Sequence, residues 1–374
     1  MSRAPAFPVG RPLLPDAAAL APYLREIDAN RYYSNYGPLV QRFQARLTAA
    51  TRFCDEDGVV VTCANATLGL AASLIVQGAR SGDLCLMPSW TFVASPLAAQ
   101  LAGLTPYFVD VDEADWALNP AVAERALDRA PGRIGAVMVV APFGRPVDAA
   151  AWDDFARRTG RPVVIDAAAA FDAVEVGRVP VVVSLHATKI FGIGEGGYVA
   201  STDRALIGGV ARCCNFGFFG SRETRVPAFN AKLSEFHAAV GLAAFDGWPQ
   251  TRAAFQRVAD AYRRHLAGLP ATLLDGFGER WVAATCVVRL DEAARDHVAA
   301  RLAGAGVETR SWWNRGCHRE PLFAALPHGD LAVTEALAAT TLGLPCYADL
   351  ADDDIAAICG EIRRALADNA HTGG

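Results

Sequence analysis

Through its first two hundred residues the chain alternates short, nearly pure apolar runs with longer alanine-rich stretches. The runs are VVVTC (59–63), LCLMP (84–88), TPYFVDV (105–111), AVMVVAP (136–142), PVVIDAA (162–168), VVVSLHA (181–187) and GYVAST (197–202). They predict strands buried on both faces, since a strand with one wet face would alternate apolar and polar positions. Intervening stretches such as ATLGLAASLIVQGA (66–79) and SPLAAQLAG (95–103) predict the helices that cover such a sheet. This is the pattern of an α/β domain with a mostly parallel sheet; strand order is not legible in it.

Beyond about residue 246 the pattern changes. DGWPQTRAAFQRVADAYRRHLAGL (246–269) predicts one long helix entered through Trp248-Pro249. RWVAATCVVRL, a helix around 291–304, VETRSWWN and a last helix near 352–367 predict a smaller α+β unit, and the final DNAHTGG reads as a frayed tail. A length of 374 residues suits two domains.

Composition narrows the function classes. The chain is 52% apolar and 20% charged, with net charge −5 and pI near 5.8, which gives no broad reason to bind nucleic acid or an anionic membrane. No run approaches 18 apolar residues, and the proline-broken MSRAPAFPVGRPLLPDA does not read as a signal peptide. Nine cysteines without CxxC spacing imply reduced thiols and a cytoplasmic setting. Cys317-His318 is the only close Cys/His pair, so no metal site is expected.

Lysine usage is the sharpest chemical signal. Lys189 and Lys232 are the only lysines; every other member of the 35 Lys and Arg residues is arginine. Guanidinium replaces a solvated amine freely but cannot lose its proton for chemistry. Lys189 follows a predicted strand, where open α/β sheets place ligands, and an amine there can form a Schiff base. It can also simply snorkel to water. Asp166 ends the preceding strand, as a helix N-cap or as a carboxylate facing the ring nitrogen of pyridoxal phosphate. Asn65, Ala66 and Thr67 lie between strand and helix, where free amides cap a helix or cradle a phosphate. Ser184 offers a further hydroxyl, and Trp90 an indole that is either core or a stacking partner. GIGEGG (192–197) matches a dinucleotide fingerprint in letters only, because it runs into a strand where a helix is required.

In order, YSNYGPLVQRF, NATLGL, PSWTFVAS, IDAAAAF, SLHATKIFGIGEGG, NAKLSEFHAAVGL and LPCYADL resemble the DegT/DnrJ/EryC1/StrS sugar aminotransferases from about residue 30 to 365. The resemblance implies a fold-type I pyridoxal phosphate transferase, with an N-terminal segment (1–30) packing on the small domain. It implies a large cofactor-binding domain (31–247), a small C-terminal domain (248–374), and a homodimer with shared sites. It implies transfer of an amino group, from L-glutamate, to a keto sugar carried on a nucleotide. By the same resemblance Lys189 is the Schiff-base lysine, Asp166 the ring-nitrogen partner, and Ala66, Thr67 and Ser184 phosphate ligands. Trp90 is then the stacking aromatic, and Asn230 a residue reaching the neighbouring subunit's phosphate beside Lys232. Tyr36, Arg310, Trp313 and His318 fall in substrate-facing segments. Ala169 departs from the family's usual glutamine, and Trp312 to Arg315 depart from its Tyr/Pro-rich segment. Those departures leave other acceptors open, such as an aminocyclitol ketone. A sugar dehydratase and a degenerate cofactor-binding regulator are the remaining rivals; the first usually carries histidine for Lys189, the second loses Lys189 or Asp166.

Overall fold

The computed structural model describes residues 5–54, 58–218 and 220–372. Its central sheet has seven strands: β1 (Val59–Cys63), β2 (Leu84–Pro88), β3 (Thr105–Val109), β4 (Ile134–Val140), β5 (Val163–Asp166), β6 (Val181–Ser184) and β7 (Gly197–Ser201). They lie in the order β1-β7-β6-β5-β4-β2-β3. All neighbouring pairs are parallel except those of β7, which runs antiparallel to β1 and β6.

The apolar runs are continuous because both faces are covered. The first eight helices are α1 (Ala17–Asn30), α2 (Pro38–Ala50), α3 (Ala66–Val76), α4 (Ala94–Leu101), α5 (Pro120–Leu127), α6 (Ala149–Thr159), α7 (Arg204–Cys213) and α8 (Glu235–Asp246). Val137, Val139, Ile165, Val181 and Val183 point to one face, against Phe43 and Leu47 of α2, Trp152 of α6 and Leu242 of α8. Their alternates Ala136, Met138, Val164 and Val182 point to the other, against Leu70 and Leu74 of α3 and Ile207 of α7. The two-residue period of the strand thus feeds two cores at once.

The C-terminal unit is built on α9 (Trp248–Leu266), α10 (Glu292–Gly304), α11 (Ala332–Thr340) and α12 (Asp352–Thr372). These pack on an antiparallel sheet of β8 (Thr272–Leu273), β9 (Cys286–Arg289) and β10 (Thr341–Leu344). Asp246 belongs to α8, and α9 begins at Trp248 with Pro249 in its first turn, so the expected single entry is a junction of two helices at Gly247. The frayed tail is overturned for residues 368–372, which continue α12; residues 373–374 lie outside the described residues.

The segment before residue 30 divides its contacts. Phe7 pairs with Val307, the Val9 amide donates to Glu308, and the Cys346 amide donates to the Val9 carbonyl, all on the C-terminal unit. Helix α1 instead packs against α8 of the large sheet's unit, with Ile27 in that core and the Tyr23 hydroxyl 2.5 Å from Asp246. Among the described residues no helix is long and apolar enough to cross a membrane.

Candidate functional site

The parallel strands β4, β5 and β6 end together, and their ends carry the chemistry. Val140 pairs with Asp166, Asp166 with Val182, and Ser184 with Gly197 of β7. Asp166 is therefore the last strand residue, 6% exposed, with its carbonyl accepting the Ala141 amide at 2.9 Å. Its carboxylate accepts the Ser95 hydroxyl on Oδ2 (2.7 Å) and the Ala168 amide on Oδ1 (3.1 Å).

Lys189 stands five residues past Ser184, in a turn closed by its own amide donating to the His186 carbonyl (2.9 Å). Burial pushes the Asp166 carboxyl up from its ordinary range; the Ser95 bond, the Ala168 amide and the Lys189 charge pull the other way. Burial likewise pushes the Lys189 ammonium down, opposed by the Asp166 charge. The two groups thus feel each other's charge, Asp166 buried and Lys189 half-buried, and the amine gives up its proton more easily than a surface lysine.

A cradle for an anion lies beside them. Asn65 caps α3 by accepting the Leu68 amide (2.9 Å), as expected of a capping residue. The amides of Ala66 and Thr67 open the helix and have no partner within it. Gly197 crosses directly against this terminus: a Cβ there would sit 2.8 Å from the Ala66 nitrogen and 2.9 Å from the Asn65 carbonyl carbon. Only a residue without a side chain lets β7 approach so closely. Ser184, buried, lies at the adjoining strand end and accepts the His186 amide (3.2 Å).

Aromatic residues wall the cleft, but not in the expected arrangement. Trp90 is 2% exposed and sealed edge-on between Phe143 (6.2 Å) and Trp313 (5.2 Å). Trp313 in turn stacks flat on Phe143, 4.0 Å between ring centres and 18° between planes. An indole so enclosed offers no free face to a ring, so the structure corrects the stacking expectation for Trp90. Phe92, two residues on, is 57% exposed on the same strand-end loop, and sequence reasoning passed it over. Phe143 was also missed; it holds a left-handed φ of 54° in the PFG turn. That turn puts Gly144, φ 108°, against the Ala169 carbonyl, 2.8 Å from where its Cβ would stand.

The remaining expected residues are occupied by the protein itself. His318 is 5% exposed, with Nδ1 2.7 Å from the Ser89 hydroxyl and Nε2 3.4 Å from Glu335. It pins the 316–319 turn to the loop after β2 and does not face the cleft with a free nitrogen. Arg310 pairs with Glu308 at 3.0 Å and lies over the Trp312 ring, 5.0 Å from its centre. Tyr36 has a left-handed φ of 57° and its hydroxyl donates to the Ala211 carbonyl at 3.3 Å. Asn230 is exposed and holds the Lys232 ammonium at 2.8 Å, while that ammonium lies 4.5 Å over the Phe216 ring. Partial burial pushes the Lys232 ammonium down as well.

Comparison with known proteins agrees on one family. The model of the DegT/DnrJ/EryC1/StrS aminotransferase family matches residues 16–363. Protein Rv3402c of Mycobacterium tuberculosis is 32% identical, covering 97% of this chain and 91% of its own length. A structure from Bacillus cereus described as a PLP-dependent aminotransferase superposes with a TM-score of 0.90 at 31% identity, covering 96% of this chain and 99% of that one. The structure of DesI with its TDP-sugar product superposes with a TM-score of 0.86 at 33% identity, covering 100% of this chain and 96% of that one.

Proposed function

Since the chain belongs to the DegT/DnrJ/EryC1/StrS aminotransferase family, we propose that it transfers an amino group from L-glutamate to the keto group of a nucleotide-linked sugar, with pyridoxal phosphate in the cleft at the ends of β4, β5 and β6. The observation that carries this reading is the pairing of buried Asp166, at the end of β5, with the charge of half-buried Lys189 in the turn that follows β6. The residues suit the cofactor: a buried carboxylate for a ring nitrogen, an amine held toward neutrality, and a helix terminus kept open by Gly197 for a phosphate. The DesI complex with a TDP-sugar supports a nucleotide sugar as acceptor.

Bound pyridoxal phosphate supplies an electron sink for the carbanion that transamination requires. Lys189 Nζ would be its covalent anchor and, as an amine held toward neutrality, would supply the general base and acid for the proton transfer. Asp166 keeps the ring nitrogen protonated by placing a charged oxygen beside it. The Ala66 and Thr67 amides and the Thr67 and Ser184 hydroxyls hold the phosphate. Phe92 takes the ring face that Trp90 cannot reach, and Trp313 borders the acceptor. In a homodimer Asn230, steadied by Lys232, serves the neighbouring copy's phosphate.

The test is purified protein loaded with pyridoxal phosphate, incubated with glutamate and a panel of keto-sugar nucleotides and free ketones. Formation of 2-oxoglutarate that depends on a sugar nucleotide is expected. Formation with a free cyclitol ketone alone would replace the proposed acceptor, and none with any ketone would refute the transfer.

A further inference from the structure

Asp166 poses a problem that Lys189 alone does not solve. A carboxylate this deeply buried prefers to be neutral, yet a neutral acid cannot hold a protonated ring nitrogen. The structure surrounds it with two hydroxyls in series. The Ser95 hydroxyl lies 2.7 Å from Asp166 Oδ2, and the Thr91 hydroxyl lies 2.7 Å from the Ser95 oxygen. Both hydroxyls are enclosed: Ser95 has no exposed surface and Thr91 only 2%. Each hydroxyl has a single proton, so Ser95 can donate to Asp166 while its own oxygen accepts from Thr91. The alternative acceptor for Thr91, the Phe92 carbonyl, is distant at 3.4 Å.

We infer that Ser95, set by Thr91, is a positioning residue that holds Asp166 as a charged, oriented acceptor. Oδ2 is committed to Ser95, so the carboxylate cannot rotate, and Oδ1, which among the described residues takes only the Ala168 amide, keeps a lone pair for the cofactor. The inference rests on the reading of Asp166 as the ring-nitrogen partner. The relay is also anchored from the other unit: the Cys317 thiol donates to the Thr91 carbonyl (3.2 Å) and the Cys317 amide to the Ser89 carbonyl (2.9 Å). Thr91 therefore cannot drift from Ser95 without disturbing the turn next to Trp313. Neither residue was singled out from the sequence, although their spacing of four brings two hydroxyls to one side of a helix start.

The test compares Ser95→Ala, Ser95→Thr, Thr91→Val and Asp166→Asn for the equilibrium dissociation constant of pyridoxal phosphate. It also follows the pH dependence of the bound cofactor's absorbance. Ser95→Ala is expected to weaken binding roughly tenfold, the effect of one hydrogen bond to a charged group. It should also raise the acid limb of the titration by about one pH unit. Thr91→Val should move both readouts in the same direction by less, and Ser95→Thr should restore them. A purely structural role would lower Tm and leave the titration in place, which overturns the inference. Wild-type readouts in Ser95→Ala and Thr91→Val, with Asp166→Asn impaired, overturn the relay and leave the Asp166 assignment standing. Wild-type readouts in Asp166→Asn remove that assignment, and the relay with it. Should Ser95→Ala fail to fold, the near-isosteric Thr91→Val carries the same test.

Discussion

The floor and the wall of this cleft are made by opposite means. Asp166, Ser184, Gly197 and Ala66 are fixed by strand ends and a helix start, so the backbone of the sheet sets their spacing. Phe143 and Trp313 come from irregular turns, one of them in left-handed backbone, and are placed by each other's rings. The floor cannot change without breaking the sheet, whereas the wall can change by exchanging side chains. The proposed function puts reaction chemistry on the first and choice of acceptor on the second, a division open to substitution on both sides.

The largest effect belongs to the floor. Lys189→Ala should lower the rate of glutamate-dependent transamination by at least about 10³-fold, read by single-turnover formation of 2-oxoglutarate. Asp166→Asn, isosteric but uncharged, should cost about 10²-fold in kcat with little change in the donor's KM. Gly197→Ala forces a methyl onto the Ala66 amide and should destabilise the fold by about 1–3 kcal/mol while weakening pyridoxal phosphate, measured by denaturation and by cofactor titration. Trp313→Ala tests the wall: about 2 kcal/mol of stability should be lost, with KM for the acceptor rising more than KM for glutamate. An equal change in both KM values would erase the division between floor and wall.

The smallest effect concerns stability without cofactor. Lys189 has a folded-state pKa below its unfolded one, so its charge opposes folding at neutral pH, and the penalty fades as pH rises toward about 10.4. Lys189→Met should therefore raise the Tm of the cofactor-free protein at pH 7 by roughly 1–3 °C, with the difference closing in alkali. The floor carries a cost in stability that its chemistry requires.

The same division governs what could be read from sequence. Strands were legible because burial on both faces writes itself as unbroken apolar runs, and Asp166 and Lys189 stood out as polar residues at their ends. The strand order was not, since a parallel sheet joins residues far apart in the chain through its crossovers. Trp90 and Phe92 lie two apart on a loop, so no period tells which faces inward, and only packing against Phe143 and Trp313 decides. His318 carries the same letters whether it binds a substrate or pins Ser89; its two hydrogen-bond partners are 229 and 17 residues away. Ala169 is silent for the same reason: its carbonyl meets Gly144 through a turn that the letters PFG do not announce.

The pair of lysines also makes the protein unusually easy to interrogate with amine reagents. Every other basic side chain except histidine is a guanidinium, so acylation reports Lys189, Lys232 and the chain's own amino group. Both side-chain amines are held below their ordinary pKa by burial, which enlarges the neutral, nucleophilic fraction near pH 7. A ligand that engages Lys189 removes one mass increment, so occupancy of the cleft can be counted in an intact-mass spectrum without any assay of turnover.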